Sequence, residues 1–288
     1  GNLTISAASV TLTIADGTGT DLVVATGGVF TNSATSGGIT TGGTWTWQVQ
    51  NGGTYVHNSG TAIATPLDKA TLQATSNFIY RGSSSVTPAV SMSGKTYGNL
   101  SFESSSGAWS TLALTGGTAT TIQGSFSIGS NVTFNNNALV GLNVGANWTN
   151  NGTFTAGSGT VTFNGTAGDQ TIGGSSVTAF NNLTVAGIGS GAGSNSVVVI
   201  PTTNTPTVAG TLTNNGTLKQ TQTVNTNSAF DFLNVSTNKY YGVKIANGSG
   251  LGSTTVSVSG NQICSQANGY PVKRCFVIDP TTSASADV

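Results

Sequence analysis

Thr160-Val161-Thr162-Phe163-Asn164-Gly165-Thr166 carries the pattern that decides the fold, since apolar residues alternate with threonine and an Asn-Gly pair follows. Alternation with a period of two is typical of a β-strand with one buried face. Val10-Thr11-Leu12-Thr13-Ile14 and Thr254-Thr255-Val256-Ser257-Val258 alternate in the same way. Asn-Gly supplies the positive φ values of tight turns, so we expect many short strands joined by turns. Further Asn-Gly pairs begin at Asn51, Asn151, Asn215 and Asn247.

A longer pattern repeats along the chain. Tyr80-Arg81-Gly82 precedes Tyr97-Gly98-Asn99-Leu100-Ser101-Phe102, and Phe163-Asn164-Gly165 precedes Phe180-Asn181-Asn182-Leu183-Thr184-Val185, with an offset of 83 residues. Repetition of short strands without helices favours a solenoid, in which each coil buries its inner face on its neighbours. The alternative is a string of small sandwiches of about 80 to 100 residues each.

The composition supports an all-β parallel β-helix. Only 6% of the 288 residues are charged, and eight basic residues balance eight acidic ones. An ordinary globular chain carries about 25% charged residues. The chain has 41 Gly and a single Glu, Glu103. Good helix formers are therefore scarce, and no basic patch is present for nucleic acid.

Three segments are expected. Residues 1–14 form an N-terminal strand, residues 15–220 form the β-solenoid repeats, and residues 221–288 form a small C-terminal β-sandwich. The last segment differs in amino-acid composition because it contains both cysteines and a set of aromatic residues that are plausible core residues. That set is Phe230, Phe232, Tyr240, Tyr241 and Phe276.

The segments 148–154, 160–166, 170–172 and 180–185 resemble repeats in large secreted and surface-displayed bacterial proteins. This resemblance implies export, an extracellular or cell-surface location and a β-rich repetitive architecture, and it implies no catalytic residue. Residues 272–288 look like the start of a closing hairpin in the terminal domains of similar exported proteins, in which a further strand would normally follow.

Cys264 and Cys275 are the two cysteines of the chain, and they flank a turn-like Asn268-Gly269-Tyr270-Pro271. A disulfide between them would fit an oxidising compartment. Two free, buried thiols are the alternative. Zinc is disfavoured because His57 is the only histidine, so we expect no metal and no cofactor.

Catalytic residue groups are missing from the sequence. No Gly-x-Ser-x-Gly motif accompanies His57, and a polysaccharide lyase or hydrolase would need clustered carboxylates, a calcium site or a basic residue that accepts a proton. Asp16 with Asp21, and Asp68 beside Lys69, are explained as turn residues or solvated pairs. We therefore expect a non-enzymatic protein, and a polysaccharide-degrading enzyme is the less favoured class.

Trp45 and Trp47 lie on the same face of an expected strand. If exposed, this pair would stack on sugar rings, as in a carbohydrate-binding adhesin. Burial in the core is the alternative.

The N-terminal residues predict self-assembly. Leu3, Ile5, Val10, Leu12 and Ile14 alternate without a charge, and such an end is suited to pairing with another strand. A neutral surface also lacks long-range repulsion between copies. We expect residues 1–14 to be donated head-to-tail to the C-terminal domain of a second copy, giving an extracellular filament. No apolar run is long enough to predict insertion into a membrane.

Overall fold

The computed structural model describes residues 1–6, 9–40, 42–187, 196–225, 228–236, 242–246, 250–260 and 274–282. Within these residues the chain is almost entirely β-structure, and its coils stack as a parallel β-solenoid. One short helix, α1 (Ala64–Asp68), interrupts the strands. The fold class predicted from the sequence is confirmed.

The strands are short, as the alternating runs predict. The first eighteen are β1 (Asn2–Ile5), β2 (Thr11–Leu12), β3 (Leu22–Val24), β4 (Val29–Asn32), β5 (Gly38–Ile39), β6 (Trp47–Val49), β7 (Thr54–His57), β8 (Ala70–Leu72), β9 (Asn77–Ser83), β10 (Thr96–Tyr97), β11 (Asn99–Ser106), β12 (Trp109–Ser110), β13 (Thr115–Gly116), β14 (Thr120–Ile122), β15 (Phe126–Ile128), β16 (Val132–Asn135), β17 (Ala138–Leu139) and β18 (Gly141–Val144). The others are β19 (Trp148–Asn150), β20 (Thr153–Thr155), β21 (Thr160–Phe163), β22 (Asp169–Gly173), β23 (Ala179–Phe180), β24 (Asn182–Val185), β25 (Val197–Val199), β26 (Thr207–Val208), β27 (Leu212–Asn214), β28 (Thr217–Val224), β29 (Phe230–Phe232), β30 (Val243–Ile245), β31 (Gly252–Gly260) and β32 (Arg274–Pro280).

The chain divides into two compact units. The first contains residues 1–144 and 149–159, and the second contains residues 145–148 and 160–288. In the first unit the longest sheet has the order β1-β4-β7-β9-β11-β15, and the described pairs within it are parallel. Smaller parallel sheets, such as β3-β6-β8 and β12-β16-β20, form other faces of the coils.

Strand register gives the length of a coil. Val29 pairs with Thr54, Thr54 with Asn77, and Asn77 with Asn99, so these coils take 22 to 25 residues each. Within a strand, the inward side chains are apolar or aromatic and the outward ones are mostly threonine, serine or asparagine. The alternation in the sequence is therefore the alternation between core and surface.

Aromatic side chains stack along the core of the first unit. Phe102 is fully buried, and its ring contacts those of Tyr80, Phe126 and Phe134 at centroid distances of 5.3, 5.9 and 4.7 Å. Tyr80 and Phe102 are register partners on β9 and β11. Because each coil places a ring over the ring below, the coils bury large apolar surfaces against each other.

The second unit begins with parallel coils and ends with antiparallel strands. β22, β25 and β28 are parallel neighbours, whereas β31 pairs antiparallel with β28, and β32 pairs antiparallel with β31. β29 and β30 form a second antiparallel pair. The boundary predicted at residue 220 falls inside β28, which pairs parallel with β25 and antiparallel with β31. The strands that follow β28 belong to the same compact unit as the coils from residue 160 onward.

Each recognisable copy of the sequence repeat spans one coil. Tyr80 pairs with Phe102 in the first unit, and Phe163 pairs with Val185 in the second, so both copies advance 22 residues to the next coil. The repeated motif therefore encodes one strand, the segment that completes the coil, and the strand of the next coil that pairs with the first.

Candidate assembly surface

The first coil of the solenoid has unpaired strand edges. β1 pairs with β4, β2 with β5 and β3 with β6, and each of these first-coil strands is the outermost strand of its sheet among the described residues. A row of backbone donors and acceptors on an edge strand can pair with another chain. These three strands define the first-coil surface.

Apolar residues of the core layer are uncovered at the first-coil surface. Leu3 lies in register with the buried Phe30, and Leu22 lies in register with the buried Trp47. Leu3 is nevertheless 41% exposed, because no coil lies on top of it. A groove of about 310 Å³ opens here between β1 and β3. It is lined by residues including Leu3, Leu22 and Phe30. The surface thus resembles the inner contact between two coils.

The backbone of β1 is oriented so that half of its polar groups face outward. The carbonyls of Gly1 and Ile5 accept hydrogen bonds from the amides of Val29 and Ser33 at 3.2 and 2.8 Å. Successive residues of a strand point their backbone groups to opposite sides. The amides of Asn2 and Thr4 therefore face the open edge.

A second open edge lies at β32, which is the outermost strand of its sheet among the residues that the structure describes. Phe276 continues the register row of the buried Leu218 and Val258, yet it is 47% exposed. Its neighbour Val277 is 57% exposed on the other face. Phe276 was expected in the core, and its exposure follows from its place on the last strand of the sheet.

The structure describes the five apolar residues that were singled out in the predicted donor strand. Leu3 and Ile5 lie in β1, and Leu12 lies in β2, where it is in register with Ile39. Ile5 is buried, Val10 is 46% exposed, and Leu12 and Ile14 are half-buried. The segment is therefore already paired with the next coil of its own chain. Donation of residues 1–14 would require the loss of these pairs.

Trp45 and Trp47 do not form an exposed platform for sugars. Each is only 1% exposed, so the stacking interpretation is wrong and the core alternative is correct. The indole nitrogens donate to the carbonyls of Gly42 and Pro66, both at 2.7 Å. Lys69 covers the ring of Trp45, with Nζ 4.8 Å from the ring centroid. The alternating pattern predicts that both side chains lie on one face of a strand, but it does not distinguish a face in the core from a face exposed to solvent.

The acidic residues singled out in the sequence have structural partners. Asp21 accepts hydrogen bonds from the amides of Gly17 and Thr46 at 2.6 and 2.7 Å, and Asp16 accepts one from the hydroxyl of Thr44. Asp68 forms an ion pair with Lys95. The described residues contain no cluster of three or more His, Cys, Asp or Glu side chains suited to a metal ion.

His57 lies in a buried polar cluster that the sequence did not predict. Its Nε2 is 3.1 Å from the carbonyl oxygen of Thr61, and its Nδ1 is 3.3 Å from the hydroxyl of Tyr55. A carbonyl only accepts, so Nε2 carries the proton and Nδ1 accepts from Tyr55. The hydroxyls of Tyr80 and Tyr97 are 2.9 Å apart in the same region.

Burial determines the protonation of this cluster. It lowers the pKa of His57 to about 4 and raises the pKa of Tyr80 to about 12, because a charge inside the core loses its hydration. Burial also raises the pKa values of Tyr55 and Tyr97. The cluster is therefore neutral over the physiological pH range, and its hydrogen bonds link neighbouring residues of the core.

Cys264 lies outside the described residues, so its disulfide with Cys275 stays a prediction. Cys275 lies in β32, where it is the register partner of Ser259.

Comparison with known proteins gives no relative. No family, no curated protein and no solved structure matches the chain. Among the described residues, no helix has the length and apolar character needed to span a membrane.

Proposed function

We propose that the chain is a non-enzymatic structural subunit of an extracellular filament or surface fibre, in which copies associate head-to-tail. The first-coil surface carries this proposal. It presents unpaired edges of three strands together with the uncovered apolar residues Leu3 and Leu22. Such a surface is suited to receive a further strand layer of a second copy.

The mode of contact differs from the predicted exchange of residues 1–14. Because β1 and β2 already pair with β4 and β5, we propose that they stay in place and pair through their open edges. The opposite edge of the contact is β32, whose exposed Phe276 and Val277 supply apolar area. Since the two edges differ in sequence, the contact is heterologous, and it propagates as a filament unless the copies close into a ring.

The neutral composition favours close approach of copies. Eight basic and eight acidic residues cancel, so long-range repulsion is weak. The described ion pairs, Arg81–Glu103, Lys95–Asp68 and Lys219–Asp169, are formed within the chain. The alternative function, a carbohydrate-binding adhesin, loses its proposed sugar-stacking residues because Trp45 and Trp47 are buried.

Variants at the edge of β1 test the proposed contact. Thr4→Pro removes an outward amide from β1 while it keeps the amides of Leu3 and Ile5 that face β4. Leu3→Lys places a charge on the uncovered core layer. We expect the intact chain to form filaments visible by negative-stain electron microscopy, with sedimentation that increases with concentration. Both variants should remain monomeric.

Leu112→Lys is the matched control, because Leu112 is an exposed leucine, at 75%, that lies outside the first-coil strands. It should assemble as the intact chain does. An intact chain that stays monomeric at all concentrations would overturn the proposal, as would filaments that persist unchanged in Thr4→Pro and Leu3→Lys.

A further inference from the structure

Six polar residues form an array on the outer face of β21, β24 and β27, which are the last three strands of a six-stranded sheet. Their rows follow from strand register, in which Thr160 pairs with Asn182, Thr162 with Thr184, and Thr184 with Thr213. Thr211 precedes Thr213 by two residues and continues the row of Asn182. The array therefore has two outward residues on β21 and on β24, and one on β27 with Thr211 directly before that strand. Its members are Thr160, Thr162, Asn182, Thr184, Thr211 and Thr213.

The threonine hydroxyls of the array make no hydrogen bond within the described part of the chain. Threonines on the neighbouring antiparallel sheet behave differently. The hydroxyl of Thr217 lies 2.9 Å from that of Ser259, and the hydroxyl of Thr221 lies 2.8 Å from that of Thr255. Each array hydroxyl can thus donate one hydrogen bond and accept others from outside the chain.

The array is rigidly supported from below. Val161, Leu183 and Leu212 alternate with its residues and are 2%, 0% and 4% exposed. Threonine is β-branched, so its χ1 angle is restricted and the methyl and hydroxyl groups have fixed directions. The surface is thus ordered before any ligand arrives.

The spacing of the array follows from sheet geometry. Neighbouring strands lie about 4.8 Å apart, and alternate residues of one strand lie about 6.6 Å apart. The three strands carry no charged residue. A neutral surface with a rectangular repeat is complementary to a neutral, crystalline ligand.

We propose that this array binds ice. Oxygen atoms on a prism face of hexagonal ice repeat in a similar rectangular pattern, and threonine offers a hydroxyl to bond water and a methyl group to order the water beside it. Ordered first-shell waters can act as part of such an interface. The array contains no aromatic side chain on which a sugar ring could stack. This inference does not depend on filament formation.

Inhibition of ice recrystallisation by the full chain tests the proposal. The double variant Thr162→Lys, Thr184→Lys places two charged side chains in the centre of the array. We expect it to need at least about tenfold more protein for the same inhibition, corresponding to about 1.4 kcal/mol of lost binding. The control is Thr203→Lys, Thr223→Lys, which changes one exposed threonine between β25 and β26 and another on β28 and should inhibit as the intact chain does. Thermal melting of both double variants checks that they are folded.

Two results would overturn the proposal. One is an intact chain that inhibits recrystallisation no better than the folded variant with lysines in the array. The other is array-dependent binding to insoluble cellulose or chitin without any effect on ice. Thr184→Val separates the contribution of the threonine hydroxyl from that of the methyl group, since valine keeps the shape of the side chain and lacks the hydroxyl. A loss of inhibition in this variant would support hydrogen bonding to the ice lattice, and unchanged inhibition would overturn that part of the proposal.

Discussion

The Nε2 atom of His57 lies 3.1 Å from the carbonyl oxygen of Thr61, in a part of the core where the side chain is completely buried. This contact fixes Nε2 as the nitrogen that carries the proton, with Nδ1 accepting from Tyr55, and burial keeps the ring neutral. Tyr80 approaches the imidazole edge-on at 5.8 Å, and no charged side chain is within ion-pair distance of His57 among the described residues. A proton added to this ring has no acidic partner.

Stability should therefore fall when the pH drops below neutrality. The folded chain keeps His57 neutral down to a pKa of about 4, whereas the unfolded chain binds the proton near 6.5. Unfolding takes up a proton between these values, so the free energy of unfolding decreases by roughly 3 kcal/mol from pH 7 to pH 4. Urea unfolding at several pH values measures the decrease.

His57→Gln is the control for this pH effect. Glutamine keeps a donor for Thr61 but does not titrate, so the other acidic and basic groups of the chain contribute equally to both proteins. We expect the variant to be less stable at pH 7 and to lose less stability on acidification. Parallel pH profiles of the two proteins would contradict the assignment of the effect to His57.

Gly82 is required because the ring of Trp109 lies against it. A Cβ atom at residue 82 would lie 2.3 Å from Cδ2 of Trp109, which is itself buried. Gly82→Ala should therefore destabilise the chain by about 1–3 kcal/mol, through displacement of the indole. Differential scanning calorimetry measures the change.

Gly60→Ala provides the comparison for Gly82. Gly60 is exposed, and the nearest atom to an added Cβ is 3.8 Å away. Its effect should lie within about 0.5 kcal/mol of zero. Equal melting temperatures for Gly82→Ala and Gly60→Ala would show that the packing of Trp109 against residue 82 is not needed.

The glycines also show how far sequence patterns reach. The Asn-Gly pairs among the described residues correctly predict where strands end, and Gly52 adopts a positive φ of 72° as a tight turn requires. At Gly152 and Gly165 the reason is different. An added Cβ would lie 2.3 Å from the carbonyl oxygen of Val132 and 2.0 Å from that of Gly145, respectively. These glycines allow the backbones of stacked coils to approach, which depends on contacts between residues distant in sequence.

The candidate site was predicted only in part for the same reason. The apolar alternation of residues 3–14 indicated a strand suited to pairing, and the solenoid uses it as its first coil. The pairing partner of this segment depends on strand register. Leu3 pairs with Phe30 and Leu12 with Ile39 because the chain passes the same position again after one full coil. The threonine array depends on register too, since Thr162, Thr184 and Thr213 become neighbours only through the stacking of coils.

The predicted disulfide can be tested by intact-mass measurement. Cys264 and Cys275 should appear oxidised, with the mass lower by two hydrogens before reduction. Reduction should lower the free energy of unfolding by about 2–4 kcal/mol, since the cross-link restricts the unfolded chain. Cys275→Ser is the control, because a reductant should not change its stability. An unchanged mass on reduction and alkylation of both thiols without denaturant would disprove the bridge.

Amide hydrogen exchange in β1 should alternate along the strand. The amides of Leu3 and Ile5 point toward β4, whereas those of Asn2 and Thr4 point to the open edge, so in the monomer Thr4 should exchange faster than its two neighbours. In the filament, pairing of the edge should slow the exchange of Thr4. Ile79 in β9 is the internal reference, since its strand has a partner on each side and its exchange should not change on assembly. If exchange at Thr4 stays fast in filaments, the contact between copies lies elsewhere. If exchange is uniformly slow along β1 in the monomer, the outer edge of β1 is already covered.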